Sequence, residues 1–355
     1  MAFITGVQVI HAPASALNNA GTQAGNVTDN AVVVKTLRIN GRSYPYVSAQ
    51  AYRYWLRRKL EKLQPEGWTV APIFREKKIA YTDANPIAYA DDDVFGYMRA
   101  PGKSIEAADS RAAFADATET KEAVTRVSPF RMGTLVAMRE GVVQDFGTMS
   151  RHEGDPVPHE HQFYRTSLKG MFSVDMSRIG VFTYENRTGF RNLDEVRRKL
   201  AEERGLSHDE ENRAYRLPNE VRVQRIRALL SAIPEVEGGA MQALHYTDVS
   251  PVVVVMAVTR GGNNPFYYMI SGDREGLAMP VPEAFQEVAE VWGDQILSPL
   301  YIGWVKGYAP EGRRQLEAME ESLQQAYPWG VMLGHPRQVF RELIDELGRH
   351  PEWLA

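Results

Sequence analysis

Residues 41–60 read GRSYPYVSAQAYRYWLRRKL, and the architecture turns on what this stretch becomes. Asn40-Gly41 punctuates the extended text before it, and Ser48 stands where a side-chain oxygen can accept an orphan N–H of a first helical turn. On a helical wheel Tyr52, Trp55, Leu56, Leu60 and Leu63 form one stripe, which packs a helix on a sheet. Arg53 and Arg57 stack one turn apart on one flank, and Arg58 and Lys62 lie on the other. A snorkelling, salt-bridged surface helix would use the same residues. Two features favour a track for a polyanion. Glu61 is the one acid inside this helix, and NEVRVQRIRALLSAI (219–233) repeats the pattern, with Arg222, Arg225 and Arg227 opposed only by Glu220. In that second helix Val223, Ile226, Leu230 and Ile233 make the apolar stripe, with Arg222 and Arg225 off it. Arginine forks match phosphate geometry, so a row of them at one-turn spacing suits a nucleic-acid backbone.

Around these helices the text alternates between extended and irregular. Ala2 to His11 reads as a first strand, with Phe3, Val7 and Val9 on one parity, and Val32 to Ile39 as a second extended piece. Residues 63–165 are the least regular and proline-punctuated. They read as an insertion with short helices at 107–117 and 119–127 and a hairpin near 131–146. Strand text returns in SLKGMFSVDMSRIGVFTYE (167–185), then in the aliphatic run Pro251–Thr259 and the aromatic run Phe266–Ser271. Residues 187–216 read as charged, exposed helix, and three helical segments close the chain at 282–292, 311–327 and 336–347. The skeleton is strand, helix, insertion, two strands, helix, strand. That is the order of an α/β (α+β) ferredoxin-like βαββαβ unit.

The chain has 355 residues, enough for one elaborated domain or two modest ones. Its 41 Lys and Arg against 45 Asp and Glu give a net charge of -4, which argues against free, non-specific nucleic-acid binding and leaves room for a local basic groove. No cysteine occurs, which excludes disulfides, thiolate zinc sites and a cysteine nucleophile. MAFITGVQVIHAPASAL has no cationic segment ahead of its apolar residues, so no signal peptide is expected. The run VVVVMAV (252–258) is too short to cross a bilayer. A cytoplasmic location without membrane contact follows as the expectation.

EVEGGAMQALHYTDVSP (235–251) carries Met241, Leu244 and Tyr246 with no helical period. Such a loop can dock on its own domain, or project as an arm that inserts apolar side chains between bases. His159-Glu160-His161 would place two imidazoles on one strand face, but HExxH spacing and a third ligand nearby are missing, so no metal is expected. GxGxxG, GxxxxGK[ST] and GxSxG are absent, and neither a cofactor nor a catalytic residue is expected.

Several phrases, in order, resemble one family. SYPYVSAQAYRYWLRRKL is similar to its first helix and the approach to it, and RVSPFRMGTLVAM and DFGTMSRHEG to its middle region. HEHQFYRTSLKGMFSVDMSRIGVF resembles its most characteristic block, and RALLSAIPEVEGGAMQALHYTDVSPVVVVMAVT its helix, arm and last palm strand. The family is the CRISPR-associated backbone subunit of type I Cascade effector complexes (the Cas "seven" family), in its DevR autoregulator branch. The resemblance runs from about Phe3 to about Ile270.

It implies a hand-shaped protein with an RRM-like palm (1–64 and 166–275), an inserted helical finger region (65–165) and a thumb β-hairpin (234–250). Residues 276–355 follow as a C-terminal helical region. Copies would stack along a guide RNA (crRNA), each thumb kinking it, with the bases left free to pair with target DNA and other Cascade subunits joining the assembly. RNA held by phosphate and shape can carry any guide sequence. Carried onto this sequence, Ser48, Gln50, Arg53 and Arg57 would contact the guide backbone, with Lys169 and Arg178 on the palm strands; the spacing of the second helix adds Arg222 and Arg225. Gly238-Gly239-Ala240-Met241-Gln242 would form the thumb, with Met241 as its wedge. The backbone subunit is a scaffold, not an enzyme. The alternative is a metal-dependent ribonuclease, because type III backbone subunits resemble this fold and cut target RNA with an aspartate in the loop after the first strand. Asp29 lies in such a loop. A transcriptional autoregulator, as the branch name suggests, would lack a helix-turn-helix signature here.

Overall fold

The computed structural model describes residues 1–23, 31–76, 79–101, 117–149 and 157–355. Its main sheet contains β1 (Ala2–Ser15), β2 (Thr36–Ile39), β3 (Arg42–Val47), β4 (Phe130–Met132), β5 (Leu135–Ala137), β6 (Val143–Met149), β7 (Val157–Asp175), β8 (Val253–Arg260), β9 (Leu300–Trp304) and β10 (Val331–Gly334). The helices are α1 (Ala49–Leu63), α2 (Ala90–Phe95), α3 (Glu195–Glu203), α4 (Asn219–Ala232), α5 (Pro282–Trp292), α6 (Pro310–Ala326) and α7 (Pro336–Leu347).

β1 lies at the centre, antiparallel to β7 on one side and β8 on the other, with Val7 facing Met171 and Val255. The path runs β10-β9-β8-β1-β7-β5-β3-β2, and β4 and β6 also pair with β7. The inner order β8-β1-β7-β4/β5 is that of a ferredoxin-like sheet. Both faces are covered, so successive residues of β8 enter different cores. Val254, Met256 and Val258 pack with α1, α4 and α7, whereas Val253, Val255 and Ala257 pack with α5 and α6. A strand buried on both faces reads as an unbroken aliphatic run, which explains VVVVMAV.

β7 has 19 residues. At the usual rise it extends about 60 Å, long enough to serve β4, β5 and β6 one after another. This corrects the sequence reading in two places. Residues 130–137 pair with β7 inside the main sheet, and 131–146 is no self-paired hairpin. The helix expected at 119–127 is also absent: Val124–Arg126 pairs with Tyr97–Arg99 as a two-stranded ribbon. Among the described residues of 65–165, α2 is the one α-helix, so the finger region is not helical there, and most of the helix expected at 107–117 lies outside the described residues. Charged residues 187–216 hold only the short α3, followed by the pair Ser207–Asp209 and Ala214–Arg216. The C-terminal region is not helices alone, since β9 pairs with β8 and β10 with β9. The expected thumb hairpin is a loop: residues 236–252 contain no strand.

Gly6 sits between the side chains of its two cross-strand partners, Phe172 and Met256. A Cβ there would sit 2.7 Å from the Phe172 ring and 2.8 Å from Met256 Cβ, so the three central strands admit no side chain at this point. Gly6→Ala should therefore lower the unfolding free energy by about 1–3 kcal/mol, the usual cost of overpacking. Urea unfolding measures this, and a wild-type midpoint would mean that the sheet opens freely.

Candidate nucleic-acid interface

α1 is fixed at its start by Ser48, whose hydroxyl accepts from the Ala51 N–H at 3.3 Å and whose own N–H donates to Asn18 Oδ1 at 2.9 Å. One turn on, the Tyr52 hydroxyl donates to Gln8 Oε1 at 3.2 Å. Trp55, Leu56 and Leu60 are buried as the stripe requires, but Leu63 is 40% exposed. Lys59 and Lys62 both bind Glu237, at 2.6 and 3.0 Å, and hold its carboxyl down at about 2.

The outer flank forms a cleft of about 570 Å³, lined by Gln50, Arg53, Tyr54 and Arg57 from α1 and by Phe95 and Gly96. Arg53 donates to the Phe95 carbonyl. The Arg53 and Arg57 guanidiniums stand 5.8 and 4.9 Å from the centre of the Phe95 ring. Arg57 Nε lies 3.9 Å from Asp91 Oδ2, too far for a hydrogen bond, and is buried without a partner among the described residues. Burial, and then the charge of Arg57, draw the Arg53 pKa down. Two cations crowded on one ring leave an excess of positive charge at the cleft, while the Arg57 Nε itself is closed to solvent beside Asp91. Gln50 and Tyr54 are exposed beside them, offering an amide and a ring face.

α2 supports the cleft from below through three consecutive buried carboxylates. Asp91 accepts from the Ala71 N–H at 2.8 Å, and Asp92 from Asn85 N–H at 2.9 Å. Asp93 binds Arg126, Arg225 at 2.7 Å and the Gly180 N–H at 2.8 Å.

That arrangement corrects the expectation of one gutter fed by both helices. Arg222 is fully buried and donates to the carbonyls of Ile179 at 2.7 Å, Met176 at 3.1 Å and Leu354 at 2.8 Å. Arg225 is spent on Asp93 and on the carbonyls of Pro86 at 2.7 Å and Ile87 at 3.0 Å. α4 is covered on several sides, so its arginines point inward while Arg227 is exposed. Lys169 sits beside Val9 on the sheet face opposite α1, where its Nζ donates to Tyr267 and Ile270 carbonyls and burial lowers it to about 8. Arg178 stacks at 5.0 Å on the Phe190 ring.

The 236–252 loop is docked at its base. Gly238 lies flat on Trp55, where a Cβ would come within 2.2 Å of the indole, and the Ala240 N–H donates to the Leu17 carbonyl at 3.0 Å. Met241 turns inward against the first core with φ +50°, and Gln242 bridges the Gly238 carbonyl and the Thr247 N–H. Neither projects as a wedge. The side chains that project are Leu244, 67% exposed, and Tyr246, 82% exposed. The sequence signal was there, two large apolar residues in an aperiodic loop, but nothing local separates them from Met241.

His245 from this loop meets His161 at 5.1 Å and Phe163 at 5.0 Å between ring centres, a third imidazole that adjacency in sequence could not reveal. No group of three ligating side chains with metal geometry occurs among the described residues. Asp29 lies outside the described residues. No described helix is long and apolar enough to cross a membrane.

A sequence model of the CRISPR-associated negative auto-regulator DevR/Csa2 family matches residues 7–274. The chain belongs to this family. No curated protein matches its sequence. Among solved structures, it is similar to a chain of a "CRISPR RNA-guided surveillance complex, pre-nicking", with 12% identity, a TM-score of 0.52, and 97% of this chain and 99% of that one covered. A chain of a "CRISPR RNA-guided surveillance complex" gives 13% identity and a TM-score of 0.44 over 97% and 99% of the two chains. At such identity the first likeness is one of fold, and it takes in the residues beyond the DevR/Csa2 match.

Two stability tests separate scaffold from cleft. Arg225→Met leaves the buried Pro86 and Ile87 carbonyls without their donor and takes one guanidinium from Asp93, and should cost about 3–5 kcal/mol in urea unfolding, whereas Arg53→Gln should cost less than about 1 kcal/mol; equal losses would place Arg53 in the core instead. Burial, and then the neighbouring Asp91, push the Asp92 carboxyl from its ordinary 3.8 up to about 7. The folded chain thus holds more protons than the unfolded one between those values, and stability falls as pH rises through that window. Asp92→Asn should remove a slope of up to about 1.4 kcal/mol per pH unit, so parallel stability curves for the two proteins from acid to neutral pH would contradict this.

Proposed function

We propose that this DevR/Csa2 protein is a guide-RNA-binding backbone subunit of a type I Cascade effector complex. The α1 cleft carries the reading: paired guanidiniums one turn apart, held over one ring. In this reading a phosphate of the crRNA bridges Arg53 and Arg57, Gln50 donates to the next backbone oxygen, and Tyr54 stacks against a ribose or base. The capped start of α1 at Ser48 adds the positive end of the helix dipole. The thumb is the 236–252 loop, with Leu244 and Tyr246 as its wedge and Met241 and Gln242 holding its base. Copies side by side continue the track, leaving bases free for target DNA, and other Cascade subunits close the two ends. The palm then comprises residues 1–64, 130–175 and 219–275, with finger segments between them. No catalytic step is assigned to the chain, and its place is the cytoplasm.

A short track per copy needs no basic protein, which reconciles RNA binding with the net charge of -4. Affinity should fall steeply with salt as phosphate contacts release counterions. Co-expressed with a guide RNA, the wild type should retain RNA through purification in low salt. Arg53→Glu/Arg57→Glu should lose it, at least tenfold in a filter-binding titration, with unchanged circular dichroism. Retention by that variant would remove the cleft from the path, and protein free of RNA at every salt concentration would overturn the function.

A further inference from the structure

The DevR/Csa2 match ends at residue 274, and α5 and α6 lie beyond it. Both helices pack on the second core through Phe285, Val288, Leu316 and Leu323, and the Tyr327 hydroxyl ties them by donating to the Phe285 carbonyl at 2.8 Å. Their outer sides part into a groove of about 570 Å³, whose apolar floor includes Ala289, Met319, Leu323 and Ala326. The groove runs from Pro282 to Glu290 on one helix and from Met319 to Ala326 on the other, two turns or about 10 Å of each. Alanine and serine along it let another backbone come close. Past its end the apolar surface continues in Val291, 60% exposed, and Trp329, 56% exposed, whose indole N–H is fixed on the Ile296 carbonyl at 3.0 Å.

The rim has one sign. Glu290 lines the groove, and Glu283, Glu287 and Asp294 are exposed on the same stretch, which holds no Lys or Arg. The arginines of α6 are already paired, Arg313 with Glu317 at 2.7 Å and Arg314 with Glu311. None of these four carboxylates has a cationic partner among the described residues. Set aside those four of the 45 acids, and 41 cations face 41 acids over the rest of the chain, so this edge equals the net negative charge.

We infer that the α5–α6 groove receives a basic amphipathic helix of a partner protein. Its apolar stripe would fill the two-turn floor and its lysines and arginines would meet the rim, the helix-in-groove mode of recognition. An RNA strand is excluded from the same place by like charge. The inference does not depend on the guide-RNA reading, since it concerns other residues on the other face of the sheet.

The probe is a fluorescent leucine–lysine peptide of about 14 residues with leucines at i, i+3, i+4 and i+7, compared with an isomer of equal composition in strict alternation. Anisotropy is followed with the full chain at about 0.15 M salt, where exposed charges are well screened. The helical peptide should bind at least tenfold more tightly than the isomer. Ala289→Arg/Ser322→Arg, which fills the groove and reverses its charge, should weaken it at least tenfold while guide-RNA retention and circular dichroism stay as in the wild type. Glu287→Lys/Glu290→Lys should weaken it without filling the floor. Equal binding of both isomers, binding unaffected by either variant, or no binding at all would overturn the inference. So would self-association in light scattering that the groove variant abolishes, since the occupant would then be a second copy.

Discussion

Asp93 is completely buried, and its carboxylate is gripped by Arg126 from the ribbon strand, Arg225 from α4 and the Gly180 N–H. Two guanidiniums on one carboxylate leave a surplus of positive charge in a dry place. The surplus is dispersed onto carbonyls of Val181, Arg178, Pro86 and Ile87. Such a cluster is a poor source of net stability but a demanding one geometrically, because loss of Asp93 would leave two buried cations unmatched. It locks α2 to α4. α2 in turn carries Asp91 and Phe95, the very groups against which Arg53 and Arg57 rest. The cleft on α1 therefore inherits its shape from a network that no solvent reaches.

The arginines of the two helices thus divide the labour, though they look alike in sequence. What distinguishes them is the supply of acceptors. Arg222 and Arg225 meet backbone carbonyls of loops that have no strand partners of their own, so each guanidinium satisfies two needs at once. Arg53 and Arg57 meet one carbonyl, one ring and a distant carboxylate, and keep donor capacity in hand.

Much of the frame was legible. Ser48 and the Tyr52–Leu60 stripe announced α1, the alternation at Phe3–Val9 announced β1, and the aliphatic run announced a strand covered on both faces. Three things were not. β4 and β5 are three residues each, too short to show a period, and only the length of β7 makes room for them. The inward arginines of α4 escaped because a helical wheel assumes one wet side, and this helix is enclosed by the insertion and the C-terminal turn. The shape of the 236–252 loop escaped because its base and its tip are both apolar; Gly238 against Trp55 decides which end is docked, and that contact is remote in sequence.

The sheet itself explains how one acidic chain can serve two kinds of partner. Successive residues of β1 and β8 face opposite cores, so α1 and the α5–α6 pair are held on opposite sides of a rigid layer. Cations gather on the first side around Phe95, and unpaired carboxylates on the second around the groove. Over a separation greater than a Debye length the two fields scarcely disturb each other. A polyanion brought to the first side then meets no repulsion from the second. The overall charge balance, which in sequence spoke against nucleic acid, thus sums two local surfaces of opposite sign.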